Sequence, residues 1–405
     1  MRDLFKRLLG GKAEKTGDSR QAFAELNREA PLLPAEPGSA GSREAEGFVC
    51  RETLLGRDQR VAGYHFLLQQ ATRTRLASRS RRIHHIYAEV LVRNLIRMDI
   101  GRLLGHRLAF IDLPDSFLSH ESLLMLPAAT TVLTVATLPD EGAPTPSAVL
   151  EQVRALRARG YRFAVNAMAN EAPGAYLLPE AEFVVVRVDS AEPKRIRDFA
   201  DALKRTAPPR TWLARGLPSH DEFQLCFNLG AGLFQGPFIT RREDWTGNSL
   251  GPNAARIADL LSRLRRDEEL ADIAASLKQD PALSLRLLRY INSAAMGLRE
   301  EVTSIERALM QLGRDRLYRW LSLLLYGADS RNPNASALLE TALVRARMLE
   351  LLGEARPKAE RESLFLVGLF SLVDAVLQVP MATALEQLAA APAIVDAVLH
   401  RQGPM

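Results

Sequence analysis

The sequence predicts an α/β region followed by an all-α region, and three observations carry that prediction. From Phe48 to about Thr240, short apolar runs alternate with amphipathic stretches. Beyond Pro252 the short runs stop and only helical periodicities continue. Ahead of both lies a stretch of Pro, Gly and Ser with no apolar pattern. Strand–helix alternation sustained over roughly 200 residues implies parallel strands joined by helices. A closed barrel and an open doubly wound sheet both satisfy it, and periodicity does not choose between them.

The elements follow in chain order. Residues 1–46 are expected to be a flexible basic tail and linker. Leu4, Phe5, Leu8 and Leu9 share one face of a short helix among Lys6, Arg7 and Lys12, a pattern suited to weak contact with a membrane surface or a partner groove. About ten residues make only a marginal isolated helix, so a frayed tail is expected. Pro31, Pro34, Pro37, Gly38, Ser39, Gly41 and Ser42 then form the linker. In the second region, 47–243, strands are expected at 61–68, 108–113, 131–136, 163–165, 183–188, 211–214 and 232–234. Between them, 83–104 repeats Ile86, Val90, Leu91, Leu95 and Met98 near a 3.6-residue period, and 147–159 ends at Gly160, a helix stop. The third region, 244–405, reads as helices at 253–265, 268–279, 281–292, 304–312, 314–326, 334–353 and 360–377. Asp280 is placed to cap the helix that Pro281 opens, since proline lacks an amide that would go unsatisfied there.

Composition narrows the function classes. The 405 residues are 47% hydrophobic and 25% charged, as in soluble globular proteins, and the length suits two domains. No apolar run approaches the roughly 20 residues a membrane span needs, and the N-terminus lacks a secretory signal. Cys50 and Cys226 lie in apolar runs without a CxxC partner, which reads as buried thiols of a reduced, cytoplasmic protein. The net charge of +5 suits anionic ligands or surfaces without naming one. Arg73, Arg75, Arg79, Arg81 and Arg82 cluster without interleaved aromatic residues, so they read as a solvated loop and helix start, with an anion-binding patch as the alternative. Nucleic acid is not an expected partner.

Asp280-Pro281-Ala282-Leu283, Leu287-Leu288-Arg289-Tyr290-Ile291-Asn292-Ser293, Ser304-Ile305, Ala308 and Leu312-Gly313 together resemble the HDOD module, an all-helical relative of the HD phosphohydrolases that typically lacks their metal site. Upstream, Gly63-Tyr64-His65-Phe66-Leu67-Leu68, the Leu156, Gly160, Tyr161, Phe163 and Ala164 pattern, Val186-Arg187-Val188-Asp189, and Leu229-Gly230 with Phe234-Gln235-Gly236 resemble an EAL domain, the barrel phosphodiesterase of cyclic di-GMP. In that order the two resemble the EAL–HDOD family of bacterial signal transduction proteins. The resemblance implies a TIM-like (β/α) barrel followed by a helical bundle.

EAL enzymes, as the resemblance implies, hold divalent metals on carboxylates at strand ends, where the ions activate water and offset phosphate charge. Here His65 replaces the glutamate of the naming motif, and Gln69 the arginine that faces phosphate. Asp112 matches an asparagine, Thr134 a glutamate, and Asn166 and Ala167 a pair of aspartates. Arg187 matches a lysine, with Asp189 retained beside it, and Arg215 a glutamate. Asp112, Arg187, Asp189, Arg215 and Gln235 are therefore the candidate remnant of a ligand pocket, with no catalytic residue, metal or cofactor expected.

In the helical region His400 is the only histidine after Arg241, too few for an HD metal centre. Ser371 stands near the position of the HD histidine, and Asp374 reads as a helix-surface or hydrogen-bonded residue. Leu285, Leu288 and Ile291, or neighbours at that spacing, read as core, and Arg289, Asn292 and Arg314 as candidates for a shallow polar groove. The expectation is a catalytically inactive, cytoplasmic regulator, not an enzyme, working through protein–protein contacts in or near cyclic di-GMP signalling, with links to motility and surface attachment. The alternative is a sensor that binds cyclic di-GMP or another anionic nucleotide without hydrolysing it. The partners expected are an unidentified protein, a second copy through the barrel, and cyclic di-GMP.

Overall fold

The computed structural model describes residues 49–68, 81–137, 142–166, 175–189, 191–206, 208–240, 249–298, 300–328 and 334–403. They divide into two compact units between Phe238 and Ile239.

The first unit is a closed barrel whose eight strands bond in sequence order: β1 (Val49–Gly56), β2 (Val61–Leu68), β3 (Leu108–Pro114), β4 (Thr131–Ala136), β5 (Arg162–Asn166), β6 (Phe183–Arg187), β7 (Thr211–Arg215) and β8 (Leu233–Gln235). From β2 to β8 every pairing is parallel, while β1 runs antiparallel to both β2 and β8. Successive residues of a strand face opposite sides, so alternate positions fill the barrel. Leu54, Phe110, Val132, Ala164, Phe183, Val185, Leu213 and Leu233 pack together as that filling. Their neighbours Ile111, Leu133, Val184 and Ala214 are equally buried. Burial on both faces explains why these strands read as continuous apolar runs.

Closure of the sheet settles the choice that periodicity left open. The expected strands are all present; β1 was not expected. Its run Val49-Cys50-Arg51-Glu52-Thr53 is interrupted by charge, and it sits in the barrel because its other residues, Leu54 and Leu55, are fully buried. The helix expected over 83–104 is two helices, α1 (Arg81–Arg97) and α2 (Ile100–Leu104). Asp99 separates them at φ 49° and caps α2 by accepting from the Arg102 amide. Then come α3 (Pro146–Ala158), capped by Thr145, α4 (Pro193–Lys204), and α5 (His220–Asn228), capped by Ser219.

Arg81 corrects the reading of the arginine cluster as solvated. Its side chain is buried in a bidentate pair with Asp115, Nε to Oδ1 at 2.9 Å and Nη2 to Oδ2 at 3.2 Å, which fixes the start of α1 to the turn after β3. Cys226 is buried, which pushes its thiol up to about 12, whereas Cys50 is half-exposed. The tail and linker residues, Gln69, Arg73, Arg75, Arg79 and Ala167 lie outside the described residues.

The second unit is helical: α6 (Pro252–Arg265), α7 (Leu270–Lys278), α8 (Pro281–Ile291), α9 (Ile305–Leu312), α10 (Arg314–Leu324), α11 (Ala335–Leu352), α12 (Lys358–Phe370), α13 (Val373–Leu377), α14 (Met381–Gln387) and α15 (Pro392–Val395). Asp280 caps α8 as expected, Oδ1 accepting from the Leu283 amide at 3.0 Å. The core face of α8 is Leu283, Leu287 and Ile291, a strict four-residue spacing. Leu285 corrects the expected core face: it is 51% exposed. Helices α11 and α12 meet at Gly368, where an added Cβ would stand 2.4 Å from the Ala346 N and Cα.

Two expected groove residues are committed to backbone instead. Arg314 donates to the Asp267 and Glu268 carbonyls. Asn292 bridges Val302 both ways, its Nδ2 donating to the carbonyl and its Oδ1 accepting from the amide, each at 2.8 Å. The side chain thereby completes the hydrogen bonding of a loop residue that is itself buried. Asn292→Ala is expected to cost about 2 kcal/mol, because both Val302 groups lose their partner at once. Urea unfolding of the full chain checks this, and an unchanged midpoint would contradict it. Asp374 corrects the helix-surface reading: it is 2% exposed. Ser371 ends α12, accepting from Arg345 Nη1 at 3.1 Å and donating to the Gly368 carbonyl at 2.8 Å. Among the described residues no helix is long and apolar enough to cross a membrane.

Candidate functional site

The pleat of the strands builds the site. One step of two residues beyond the apolar filling, toward the C-terminal ends of β2–β8, every strand turns a polar side chain inward. In barrel order these are His65, Asp112, Thr134, Asn166, Arg187, Arg215 and Gln235. The reversed β1 closes the ring with Glu52, which pairs with His65. Each strand thus gives one polar residue to the mouth. In parallel α/β barrels this is the face that carries ligands and chemistry.

Arg215 organises one side of the ring. Its Nε donates to Gln235 Oε1 at 3.1 Å, and its Nη1 donates to Asp112 Oδ2 at 2.9 Å and Oδ1 at 3.3 Å. Because arginine only donates, Gln235 must turn its oxygen toward Arg215 and its NH₂ the other way. That NH₂ donates to Glu52 and, at 3.1 Å, to His65 Nδ1. With Nδ1 accepting, His65 carries its proton on Nε2, which donates to Asp112 Oδ2 at 3.1 Å. Two donor routes therefore leave Arg215, one directly and one through Gln235 and His65, and both end on Asp112.

Asp112 is the sink of that chain. Burial opposes its charge, but Arg215 and then His65 hold its carboxyl far below the usual carboxylate range. A depressed folded pKa contributes stability above the unfolded value near ~4 and loses it only as pH falls through the lower folded value. The pair with Arg215 is therefore charged throughout the neutral range.

Arg187 lies beside Arg215 in register and pairs with Asp189, Nη2 to Oδ2 at 2.6 Å and Nε to Oδ1 at 3.2 Å. The Asp189 hydrogen bonds raise the Arg187 pKa above its ordinary value. Asp189 reaches this place because Gly216, at φ +77°, leaves room: a Cβ there would meet the carboxylate at 2.8 Å. Unlike Arg215, the Arg187 side chain is 58% exposed. Thr134 is fully buried, and its Oγ1 has no hydrogen-bond partner.

Next to this network, a cavity of about 320 Å³ opens at the mouth. Asp112, Thr134, Asn166 and Arg187 give it a polar floor, and Tyr87 and Leu91 of α1 with Leu113 and Pro114 give it apolar walls. Of the candidate residues, the structure joins Asp112, Arg215 and Gln235 directly and sets Arg187 with Asp189 alongside. Sequence reading missed Glu52, whose strand it did not find, and saw Thr134 and Asn166 only as losses. Their inward parity, two residues past Val132 and Ala164, is the signal that marks them.

The metal ions that the EAL resemblance implies do not fit this ring. Both Asp112 oxygens accept from Arg215, and both Asp189 oxygens accept from Arg187. Among the described residues no three His, Cys, Asp or Glu side chains converge to hold a metal.

The comparisons bear out the resemblance read from the sequence. Residues 250–392 match the HDOD domain. The chain is 25% identical over 361 residues, 88% of its length and 82% of the relative's, to cyclic di-GMP phosphodiesterase CdgJ of Vibrio cholerae. It is 21% identical over 361 residues, 88% of its length and 87% of the relative's, to the uncharacterized protein YuxH of Bacillus subtilis. A solved EAL domain protein from Listeria monocytogenes aligns at 8% identity and TM-score 0.40, covering 56% of this chain and 94% of that one. The Vibrio relative corrects one expectation. It is named as a phosphodiesterase, and that overturns the reading of this chain as no enzyme.

Proposed function

We propose that this chain works in cyclic di-GMP signalling by taking the dinucleotide at the barrel mouth and relaying the outcome through protein contacts. One observation carries the reading: the cavity at the strand ends combines apolar walls with an exposed guanidinium, Arg187, and a buried hydroxyl that has no partner, Thr134. A nucleotide supplies the complements of all three, a flat apolar base and anionic phosphate oxygens that accept from arginine. The Vibrio relative named for cyclic di-GMP supports that ligand over other anionic nucleotides.

Calorimetric titration tests it. Cyclic di-GMP is expected to bind in the micromolar range, and Arg187→Ala to weaken binding about tenfold, the loss of one charge-assisted contact. Because Arg187 is largely exposed, this variant is expected to fold normally. Chromatography of the same samples shows whether the ring phosphodiester is opened, the reaction in the relative's name. If saturating nucleotide produced neither heat nor a shift in melting temperature, the proposal would fall.

A further inference from the structure

The geometry points to Arg215 as the resident cation of the barrel mouth, filling the place a divalent ion would take, so that the ligand's phosphodiester is met by guanidinium and hydroxyl groups and not by a metal. The identity of that phosphodiester rests on the function proposed above; the exclusion of the ion rests on the ring alone.

A hard cation needs several oxygen donors free to turn toward it. At this mouth the donors are already turned toward nitrogen. Asp112 accepts from two Arg215 nitrogens and from His65, and Asp189 is engaged on both oxygens by Arg187. Thr134, the strand-end residue directly beside Asp112, offers a neutral hydroxyl where charge would be needed. Arg215 is not a mobile surface side chain that an arriving ion could push aside. It is 11% exposed, and Gln235, itself 1% exposed, holds its Nε while Asp112 holds the other end of the guanidinium. A divalent ion placed against Asp112 would therefore sit next to a fixed positive charge in a partly dry site, where like-charge repulsion is poorly screened.

The same ring is well arranged for an anion that brings its own oxygens. Arg187 Nη1 makes no hydrogen bond among the described residues, and Arg187 and Thr134 both line the cavity. A phosphate oxygen at the exposed Arg187 side chain would take up a donor that the protein leaves free.

Manganese titration followed by electron paramagnetic resonance decides the matter without nucleotide. Wild-type protein is expected to leave the signal of the free aqueous ion unchanged. Arg215→Glu, which removes the resident charge and adds a carboxylate, is expected to bind manganese at least about tenfold more tightly than wild type, and adding Asp112→Asn should abolish the gain. Stoichiometric manganese binding by wild type that is lost in Asp189→Asn would overturn the inference. Should Arg215→Glu fail to fold, the wild-type titration still decides. A second arm measures cyclic di-GMP affinity in EDTA and in manganese. Equal affinities support the inference, and binding seen only with the ion overturns it. Absence of nucleotide binding in both buffers strikes the proposed function and leaves the manganese result to judge Arg215.

Discussion

Gly368→Ala is expected to lower the melting temperature of the helical unit by roughly 4–8 °C, against the usual benefit of alanine in a helix. In an exposed helix interior the exchange stabilises by about 1 kcal/mol, because glycine loses more backbone freedom on folding. Here the added methyl meets backbone. It would stand 2.4 Å from the Ala346 N and Cα and 2.6 Å from the Arg345 carbonyl carbon. No rotamer change relieves contacts with main chain, so α11 must retreat from α12 or the helices must shift. Overpacking of this kind costs about 3 kcal/mol, which leaves a net loss of about 2 kcal/mol and the shift stated. Ala346 and Leu369, on either side of the contact, are fully buried, so the retreat would open the core of the unit. Circular dichroism melting of the full chain checks the sign, which is the sharper test: a raised melting temperature would mean that the two helices do not approach so closely.

Asp115→Ala is expected to cost about 3 kcal/mol or more, the larger effect of the two. Both partners of the Arg81–Asp115 pair are buried, with side chains 11% and 4% exposed. Removing the carboxylate leaves a guanidinium charge where water reaches it poorly. Replacing both residues by apolar ones of similar size, Arg81→Met with Asp115→Leu, is expected to recover most of the loss, since an ion pair of this sort contributes little beyond offsetting its own burial. Urea unfolding of the single and double variants measures the difference. Near-identical values would show that the charge left behind is not what the single variant suffers from. The pair also fixes the first turn of α1, and Tyr87 and Leu91 of that helix wall the cavity. Cyclic di-GMP affinity should therefore fall in Asp115→Ala even at temperatures where the protein stays folded.

Much of the fold was legible, and for a physical reason. Strands buried on both faces announce themselves as short apolar runs, so β2 to β8 were found close to their true ends. Strand β1 was not, because half of its residues face a polar mouth or solvent and break the run. Barrel closure was invisible to periodicity: whether the last strand bonds the first is a contact between residues about 180 apart, as Gln235 and Glu52 are. The site shows the same division. The chain displays which acids are missing at Thr134 and Arg215, yet it does not show that Arg215 lands on Asp112, 103 residues away, and saturates it. Counting absent acids led to the expectation of no enzyme, which the phosphodiesterase relative overturns. Residue identity at single positions was too thin a basis for that inference, because a ring of eight side chains is a collective object whose properties depend on who donates to whom.

The reversed direction of β1 has an effect on how the protein can be controlled. Val49 stands opposite Leu68, the last residue of β2, so the chain enters the barrel at the rim of the cavity; a strand parallel to the rest would have entered at the far end. Any sequence joined ahead of Val49 is therefore attached at the rim of the cavity, where its local concentration is set by the length of the connection and not by how much protein is present. A change of length or charge ahead of that point is felt first at the mouth, without altering a single residue that lines it.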